Sequence, residues 1–525
     1  MIARKSLLIM VNSIIGAVIG FFSLYFVAQY MGETILGVIG FALSFIGLFS
    51  FITSLGYDSA HIKRISEEKD LGTCLGTYIS IKLVLIAIMS MLALIGILAW
   101  RIFSNEEGKS EKEFVLFIIL VYYIILTLVQ MMGHTFNARR EIAKSQISNM
   151  TEHVTRGPLV IAIAITIPLG LTWLAGAYVI GAFASFVVAL LLIRGYPIAR
   201  PKKEMFKSYT RFALPVFLAA IMGTISLNID RVMIGFFWGD DHVGYYFGSQ
   251  RIIDILRHLS ASLGLILFPT ISYYASKNRL AEIGEVMRKA ERYLSMIVFP
   301  ISAFIIIQRK EIVELILGSS FVDIGAPVLA ALAVFILIST LAKPYFSLIS
   351  GLDRPKIIAR IAVSAALINI VLNLIFIPKQ IVGIRLLGLG AFGAAFATII
   401  STLILLILYY IAANRLTGIR PGSCITKHLV AALIAGLSLI GLNYLLDEYN
   451  VWTTIRTSQN LQIPYHLGLL LILGFIVMII YLAILIVLKE FKRNDLRFFL
   501  DLLHPGKMGK YIKDELKGED DEPLT

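Results

Sequence analysis

The chain has 525 residues, of which 58% are hydrophobic and only 15% charged. No soluble protein hides that much apolar surface, whereas lipid accepts it, and the uninterrupted Leu/Ile/Val runs lack the period-two alternation of a membrane barrel. The net charge of +13 would suggest nucleic acid in a soluble protein; here it belongs to basic loops facing anionic headgroups, so no nucleic-acid partner is expected.

The apolar runs predict an all-α polytopic membrane protein of about fourteen transmembrane helices, each long enough to cross a bilayer. In chain order the spans cover roughly 6–30, 35–57, 78–100, 114–135, 146–169, 172–193, 211–238, 243–275, 287–308, 327–350, 357–378, 388–413, 427–446 and 466–489. Connections rich and poor in Lys and Arg alternate between them. Arg4/Lys5, Lys63/Arg64/Lys69, Arg139/Arg140/Lys144, the cluster Arg194 to Arg211, Lys277 to Arg292, Arg354/Lys356/Arg360 and Arg415/Arg420/Lys427 all fall on one side, with the tail from Lys489. The opposite side holds only Arg101, Lys109, Lys112, Arg309, Lys310, Lys379, Arg385 and Arg456. Since cytoplasmic loops carry the positive charge, both termini are expected in the cytoplasm of a multi-pass protein of the cell membrane. The apolar run after Arg4/Lys5 reaches Tyr30 without a clear small-residue cleavage site, so it reads as a first span rather than a signal peptide.

A weak internal repeat divides the chain. Gly32-Glu-Thr-Ile-Leu-Gly37 echoes Gly239-Asp-Asp-His-Val-Gly244, and Gly181-Ala-Phe-Ala-Ser echoes Gly393-Ala-Ala-Phe-Ala-Thr. Both pairs are offset by about 210 residues, with six spans between matching elements, which gives parallel halves about an axis along the membrane normal. The expected layout is two pseudo-symmetric six-helix lobes, 1–208 and 209–426, enclosing a cavity. Two extra C-terminal helices follow in 427–489, and then a tail, 490–525. In that tail Leu496, Phe499, Leu500 and Leu503 recur at helical spacing among basic residues, as in an interfacial helix, and Gly518-Glu-Asp-Asp-Glu reads as a solvated acidic end.

Charges stranded inside spans are candidates for function, because a lipid-facing charge at mid-depth costs at least about 2.5–3.5 kcal/mol. The basic ones are Lys82, Arg156, Arg231, Arg251, Arg257 and Lys343. Lys82 stands near a span end, where its stem can snorkel. Arg156 lies in the polar run 149–157 beside Glu152, either at a cavity mouth or at the interface. Lys343 is about 10 Å from a span end at 1.5 Å per residue, so either a cavity or snorkelling suits it. In the eighth span Arg251, Asp254 and His258 share a helix face, with Arg257 beside Asp254. With the span starting at Val243, Arg251 and Arg257 lie about 12 and 21 Å deep; a later start would leave them in water. Asp230 and Arg231 are adjacent, an ion pair or a coupling site. A positive surplus selects an anion, and guanidinium forks match phosphate oxygens. Arg251, Arg257, Arg231, Lys343 and Arg156 are therefore the candidate headgroup ligands, and Asp230, Asp254 and His258 the candidate charge partners or ion-coupling groups. Tyr245, Tyr246, Tyr273, Tyr274 and Tyr345 could stack on sugars, though such tyrosines serve more often as interface anchors.

Other motifs carry no chemistry. Gly388-Leu-Gly-Ala-Phe-Gly393 spells GxGxxG but follows no strand and opens a span, so it serves close helix packing. Asn149-Met-Thr151 is a glycosylation sequon on the cytoplasmic side. Cys74 and Cys424 both fall in cytoplasmic regions, so no disulfide is expected. No Walker loop or paired His/Cys ligands occur, and neither cofactor nor metal is expected.

One region carries a family resemblance. Gly351-Leu-Asp-Arg-Pro-Lys356, Asn369-Ile-Val-Leu-Asn373, Pro378 and Gly390-Ala-Phe-Gly-Ala-Ala-Phe-Ala-Thr398 follow one another, and Leu36-Gly37 and Leu55-Gly56 precede Lys63-Arg64 in the first span pair. Over about residues 1–490 the chain resembles the polysaccharide-transporter branch, the oligosaccharide repeat-unit flippases, of the multidrug/oligosaccharidyl-lipid/polysaccharide exporter superfamily. That resemblance implies two lobes rocking between inward- and outward-open states, with the last two helices beside a groove for a lipid tail. It also implies a substrate, an oligosaccharide on polyprenyl phosphate or pyrophosphate moved from the inner to the outer leaflet, and pathway glycosyltransferases as partners. The branch offers no fixed arginine pattern, so the residues above are nominated by depth and charge. Two alternatives stand beside this reading. A cation-coupled drug extruder of the same fold would depend on Asp230 or Asp254, although the first span lacks the acidic residues that extruders often use. A membrane glycosyltransferase or polymerase would need larger outer loops than 101–113 and 447–465.

Overall fold

The structure, a computed structural model, describes residues 2–103, 109–167, 170–277, 279–419, 422, 424–449, 451–452, 462–492 and 495. The side chains of 2–8, 10, 11, 103, 109, 214–216, 218–220, 258–266, 268, 269 and 462–464 are not described. The tail helix, the acidic end, Arg420 and Arg456, and the centres of the 101–113 and 447–465 loops lie outside the described residues.

The first two spans are one helix, α1 (Ile2–Phe49), broken into two arms at Gly32, whose φ of 79° no ordinary residue adopts at low strain. The second arm ends earlier than its apolar run. A short α2 (Phe51–Ser54) follows, then a left-handed step at Leu55 and Gly56, then α3 (Tyr57–Ser66). The next helices are α4 (Leu71–Phe103), α5 (Lys109–Ala138), α6 (Ile142–Thr166) and α7 (Leu171–Ile193). Then come α8 (Lys203–Trp238), α9 (Asp240–Ser276), α10 (Leu280–Ile307), the short α11 (Arg309–Ile316), α12 (Val322–Gly351) and α13 (Pro355–Phe376). After α14 (Gly390–Thr417) the described elements end with α15 (Cys424–Glu448) and α16 (Gln462–Val487). With the two arms of α1 counted separately, fourteen long helices among the described residues cross the bundle, as the apolar runs predict. Ten stretches among the described residues are long and apolar enough to span a membrane, the first containing both α1 arms. The charged candidates of α6, α8 and α9 sit on helices of comparable length. The chain is a multi-pass α-helical membrane protein.

Between α13 and α14 a two-stranded hairpin, β1 (Gln380–Ile381) and β2 (Ile384–Arg385), departs from the all-helical expectation. Its turn, Val382-Gly383, takes positive φ at both residues, as a tight hairpin connection demands.

α1 packs on α6 and, across the bundle, on α9; α9, α12 and α14 form the centre of the other half. α15 and α16 pack on each other and on α10. The repeat seen in the sequence closes one end of the molecule. Gly239 repeats the backbone of Gly32 (φ 89°, ψ −175° against φ 79°, ψ −176°). A Cβ on Gly37 would collide with the carbonyl of Asp240, and one on Gly244 with that of Glu33, so each repeat seats its second glycine on the other's backbone. Thr34 donates to Asp241 (2.6 Å), Lys112 to Asp240 (2.6 Å) and Ser320 to Glu33 (2.7 Å) around this clasp. Lys112 also lies 4.2 Å from the Phe41 ring centre.

At the opposite, basic end, Lys82 does not snorkel. Its side chain is 2% exposed, with Nζ 2.5 Å from Asp58 and 2.7 Å from the Thr53 carbonyl, because α3 folds back and supplies a carboxylate. Tyr78 donates to the same Asp58 (2.6 Å), and His61 bridges Tyr209 on α8 and Thr135 on α5. Removing one partner of such a buried pair is destabilising by about 3–5 kcal/mol. Cys74 and Cys424 are both free.

Candidate functional site

A cavity of about 680 Å³ lies between α1, α5, α6 and α7 on one side and α9 on the other. Its lining includes Ile9 and Asn12 near the start of α1 and Gln146 near the start of α6, so it reaches toward the basic end, away from the clasp.

The α6 wall is built on helical spacing. Glu152, His153 and Arg156 occupy one stretch, and Glu152, 6% exposed, is gripped from both sides. Arg156 Nε donates to it at 2.5 Å, and His153 Nδ1 stands 2.8 Å from its other oxygen. The Arg156 guanidinium lies over the Tyr178 ring at 4.8 Å. Gly181 on α7 leaves room for that arginine, since a Cβ there would stand 2.7 Å from the Arg156 Cβ. The glycine that marks the repeat on the sixth span is therefore the seat of a cavity arginine. The Glu152–Arg156 ion pair cancels its own charge, so this wall holds an arginine without attracting an anion strongly.

The α9 wall differs. Arg251 lines the cavity with its side chain 48% exposed, 4.8 Å from the Phe247 ring centre and 3.7 Å from Asp254. Arg257, one turn on and not among the lining residues, donates to Asp254 at 3.0 Å. One carboxylate thus faces two guanidiniums, leaving one positive charge in surplus. Arg251 carries the larger share of it, because its contact with Asp254 exceeds hydrogen-bond length. Arg231 on α8 stands behind, 5.4 Å from the same Phe247 ring centre, with its guanidinium turned back to the Leu227 carbonyl (2.7 Å). Lys343 on α12 is half-buried within electrostatic reach of Arg257 and is not among the cavity-lining residues. The side chain of His258 lies outside the described residues.

Asp230 and Arg231, adjacent in sequence, are not hydrogen-bonded partners. Asp230 turns into the second half of the bundle, 7% exposed, and accepts from Tyr246 (2.8 Å), Asn373 (2.6 Å) and Thr398 (3.0 Å). Asn369 extends this group through Asn373 (3.2 Å). The reason is helical geometry: neighbours along a helix point about 100° apart, so one faces α13 and α14 while the other faces α9 and the cavity side. Asn373 and Thr398, two of the residues that carry the family resemblance, thus converge on one carboxylate, with Asn369 behind them.

None of the tyrosines singled out from the sequence lines the cavity. Tyr246 serves Asp230, and Tyr345 donates to the buried Glu291 (2.6 Å). Tyr245 packs on Phe321, and Tyr273 accepts from Lys277. The cavity tyrosines are Tyr122 and Tyr178, which had no signal in the sequence, and neither had Asn12 and Gln146. Asn149 and Glu152 lay within or beside the polar run around Arg156, the one signal that could have found the α6 wall.

Comparison with known proteins follows the same lines. The family model described as "Polysaccharide biosynthesis protein" matches residues 2–275, and the one described as "MatE" matches residues 215–375. A protein of Haloferax volcanii named "Probable low-salt glycan biosynthesis flippase Agl15" is 25% identical over 465 residues, covering 85% of this chain and 92% of that protein. A structure of the lipid II flippase MurJ in an inward closed conformation superposes with a TM-score of 0.72 over 95% of this chain and 100% of its own, at 15% identity. An inward-facing multidrug resistance MATE transporter gives 0.65 over 77% and 94%, at 12% identity.

Proposed function

The chain belongs to the polysaccharide biosynthesis protein family, and from that premise we propose that it is a flippase for an oligosaccharide carried on a polyprenyl phosphate or pyrophosphate. It moves this lipid from the inner to the outer leaflet by alternating access, for assembly of cell-surface polysaccharide or glycoprotein. It is a transporter rather than an enzyme, and glycosyltransferases of the same pathway supply its substrate. Both termini lie in the cytoplasm, so the basic end faces inward, the clasp is the outer seal, and the cavity is open to substrate from the inner leaflet.

The observation that carries the reading is the surplus positive charge of Arg251 and Arg257 on the α9 wall. A guanidinium half-exposed to a cavity offers paired donors to phosphate oxygens at low desolvation cost. Arg231, with its Nε buried and without a partner among the described residues, and Lys343 stand behind it and add to the positive field. Arg156 contributes to the opposite wall only as part of a neutral pair. The lobes 1–208 and 209–426 rock about the site. A ligand drives that motion only by binding one arrangement better than the other, which a headgroup held by α9 against the α6 wall supplies. Asp230 and Asp254 are the groups through which an ion gradient could bias the same equilibrium.

A second reading, a cation-coupled extruder, is favoured by the MatE match over 215–375 and by the buried Asp230 within it. Transport of a short-chain prenyl-pyrophosphate oligosaccharide into reconstituted vesicles separates the two. The flippase reading expects transport that collapses in Arg251→Ala; a wild type that moves no lipid-linked sugar sinks it. The extruder reading expects Asp230 to be essential and the arginines dispensable.

A further inference from the structure

The two cavity walls are chemically unlike, and the difference goes beyond headgroup binding. The α1–α6 wall carries Asn12, Gln146, Asn149 and the Glu152–His153 pair within one cavity. Asn12 is 7% exposed; its Nδ2 donates to Gln146 Oε1 at 2.7 Å, while its Oδ1 has no donor among the described residues. Leaving such an acceptor unmet costs about 1–3 kcal/mol, so a native wall that keeps one invites a partner that can donate. Phosphate oxygens cannot: like Asn12 Oδ1 and the Glu152 carboxylate, an ionised phosphate only accepts. Sugar hydroxyls both donate and accept, as amides do. Asn149 is exposed on the same wall, one turn from Glu152. Room is available as well, since a Cβ on the cavity-lining Gly20 of α1 would meet nothing within 4 Å.

Resting on the flippase reading, we infer that the α1–α6 wall is the glycan-reading subsite, with Asn12, Gln146 and Asn149 hydrogen-bonding sugar hydroxyls while α9 holds the phosphate. The substrate then lies across the cavity, its charged end on the C-lobe wall and its neutral end on the N-lobe wall. Specificity for the glycan resides in the amide side chains of α1 and α6.

The test is equilibrium binding of two lipids to the purified full-length protein, a short-chain prenyl pyrophosphate bearing an oligosaccharide and the same prenyl pyrophosphate without sugar. Asn149→Ala, at an exposed position, and Asn12→Ala are each expected to weaken the sugar-bearing lipid about tenfold, the equivalent of one or two hydrogen bonds. Both should leave the sugar-free lipid within about twofold. Arg251→Ala is expected to weaken both lipids alike. Equal losses for the two lipids in Asn149→Ala, or no loss for either, would overturn the subsite. A wild type that binds neither lipid overturns the flippase reading instead, and the subsite with it.

Discussion

The helix pair α6/α7 and its counterpart α13/α14 in the second repeat use the same backbone device and hold opposite chemistry. Gly181 lets α6 approach α7 where Arg156 passes, and Gly393 lets α13 approach α14 against the Phe376 carbonyl. On the first pair the polar group is an ion pair that faces the cavity, Glu152 with Arg156. On the second it is a set of neutral donors, Asn373 and Thr398, closed around Asp230 and turned away from the cavity. The clasp makes the contrast sharper, for there the repeats remain near copies down to the φ/ψ of Gly32 and Gly239. Symmetry persists where backbone must meet backbone, because only glycine fits. It is lost where side chains line the cavity, and the proposed substrate, with its unlike ends, calls for such unlike walls.

The comparison can be broken most forcefully at the clasp. Gly37→Ala or Gly244→Ala puts a methyl group against a carbonyl oxygen with no flexible neighbour to yield, so the seal cannot close. Flipping in proteoliposomes is expected to fall by more than about a hundredfold, with a correctly inserted protein in which a cysteine placed at the buried Leu36 gains access to an impermeant thiol reagent. Unchanged transport would show that the close approach is not part of the cycle. Next comes the α9 wall. Arg251→Ala should reduce flipping by about ten- to a hundredfold, as loss of a charge-assisted pair implies, and Arg251→Lys should recover part of it. Arg156→Ala, which removes a charge already neutralised, should cost transport less than Arg251→Ala; the reverse order would exchange the roles assigned to the two walls.

Asp230→Asn sharpens the second half of the contrast. Three donors converge on that carboxylate, and an amide must turn its NH2 toward one of them. The expected loss is about 1–3 kcal/mol of stability, read as a lower unfolding temperature in detergent, with flipping per folded molecule reduced less than in Arg251→Ala. The smallest effect is expected at the clasp rim. Thr34→Val removes an exposed hydrogen bond to Asp241 worth less than about 1 kcal/mol, and transport should stay within about twofold of wild type. A large loss there would mean that rim hydrogen bonds, rather than the glycine contacts, hold the seal.

Much of the architecture was legible in advance because lipid imposes a simple code: an apolar run long enough to cross must be a helix, and its neighbours must carry charge on alternating sides. The repeat was legible from glycines, since their spacing records backbone contacts that tolerate no side chain. The site was legible only in part. Depth picked out Arg156, Arg251 and Asp254, and the cavity gathers all three. Depth could not say that Lys82 would meet Asp58 from a segment folded back beneath it, nor that Asp230 would turn from Arg231 toward Asn373. Asn12 and Gln146 are separated by 134 residues and carry no charge to draw attention. Tyr122 and Tyr178 were passed over for tyrosines nearer the arginines.

From the sequence alone came the membrane class, the number of crossings, the alternation of basic loops and the twofold repeat, all properties that depend on local composition and on distance along the chain. Which charges pair, which face the cavity and which wall carries the surplus were decided by the tertiary structure. Those properties depend on the rotation of each helix about its own axis, and that rotation is set by packing against neighbours that lie far away in the chain.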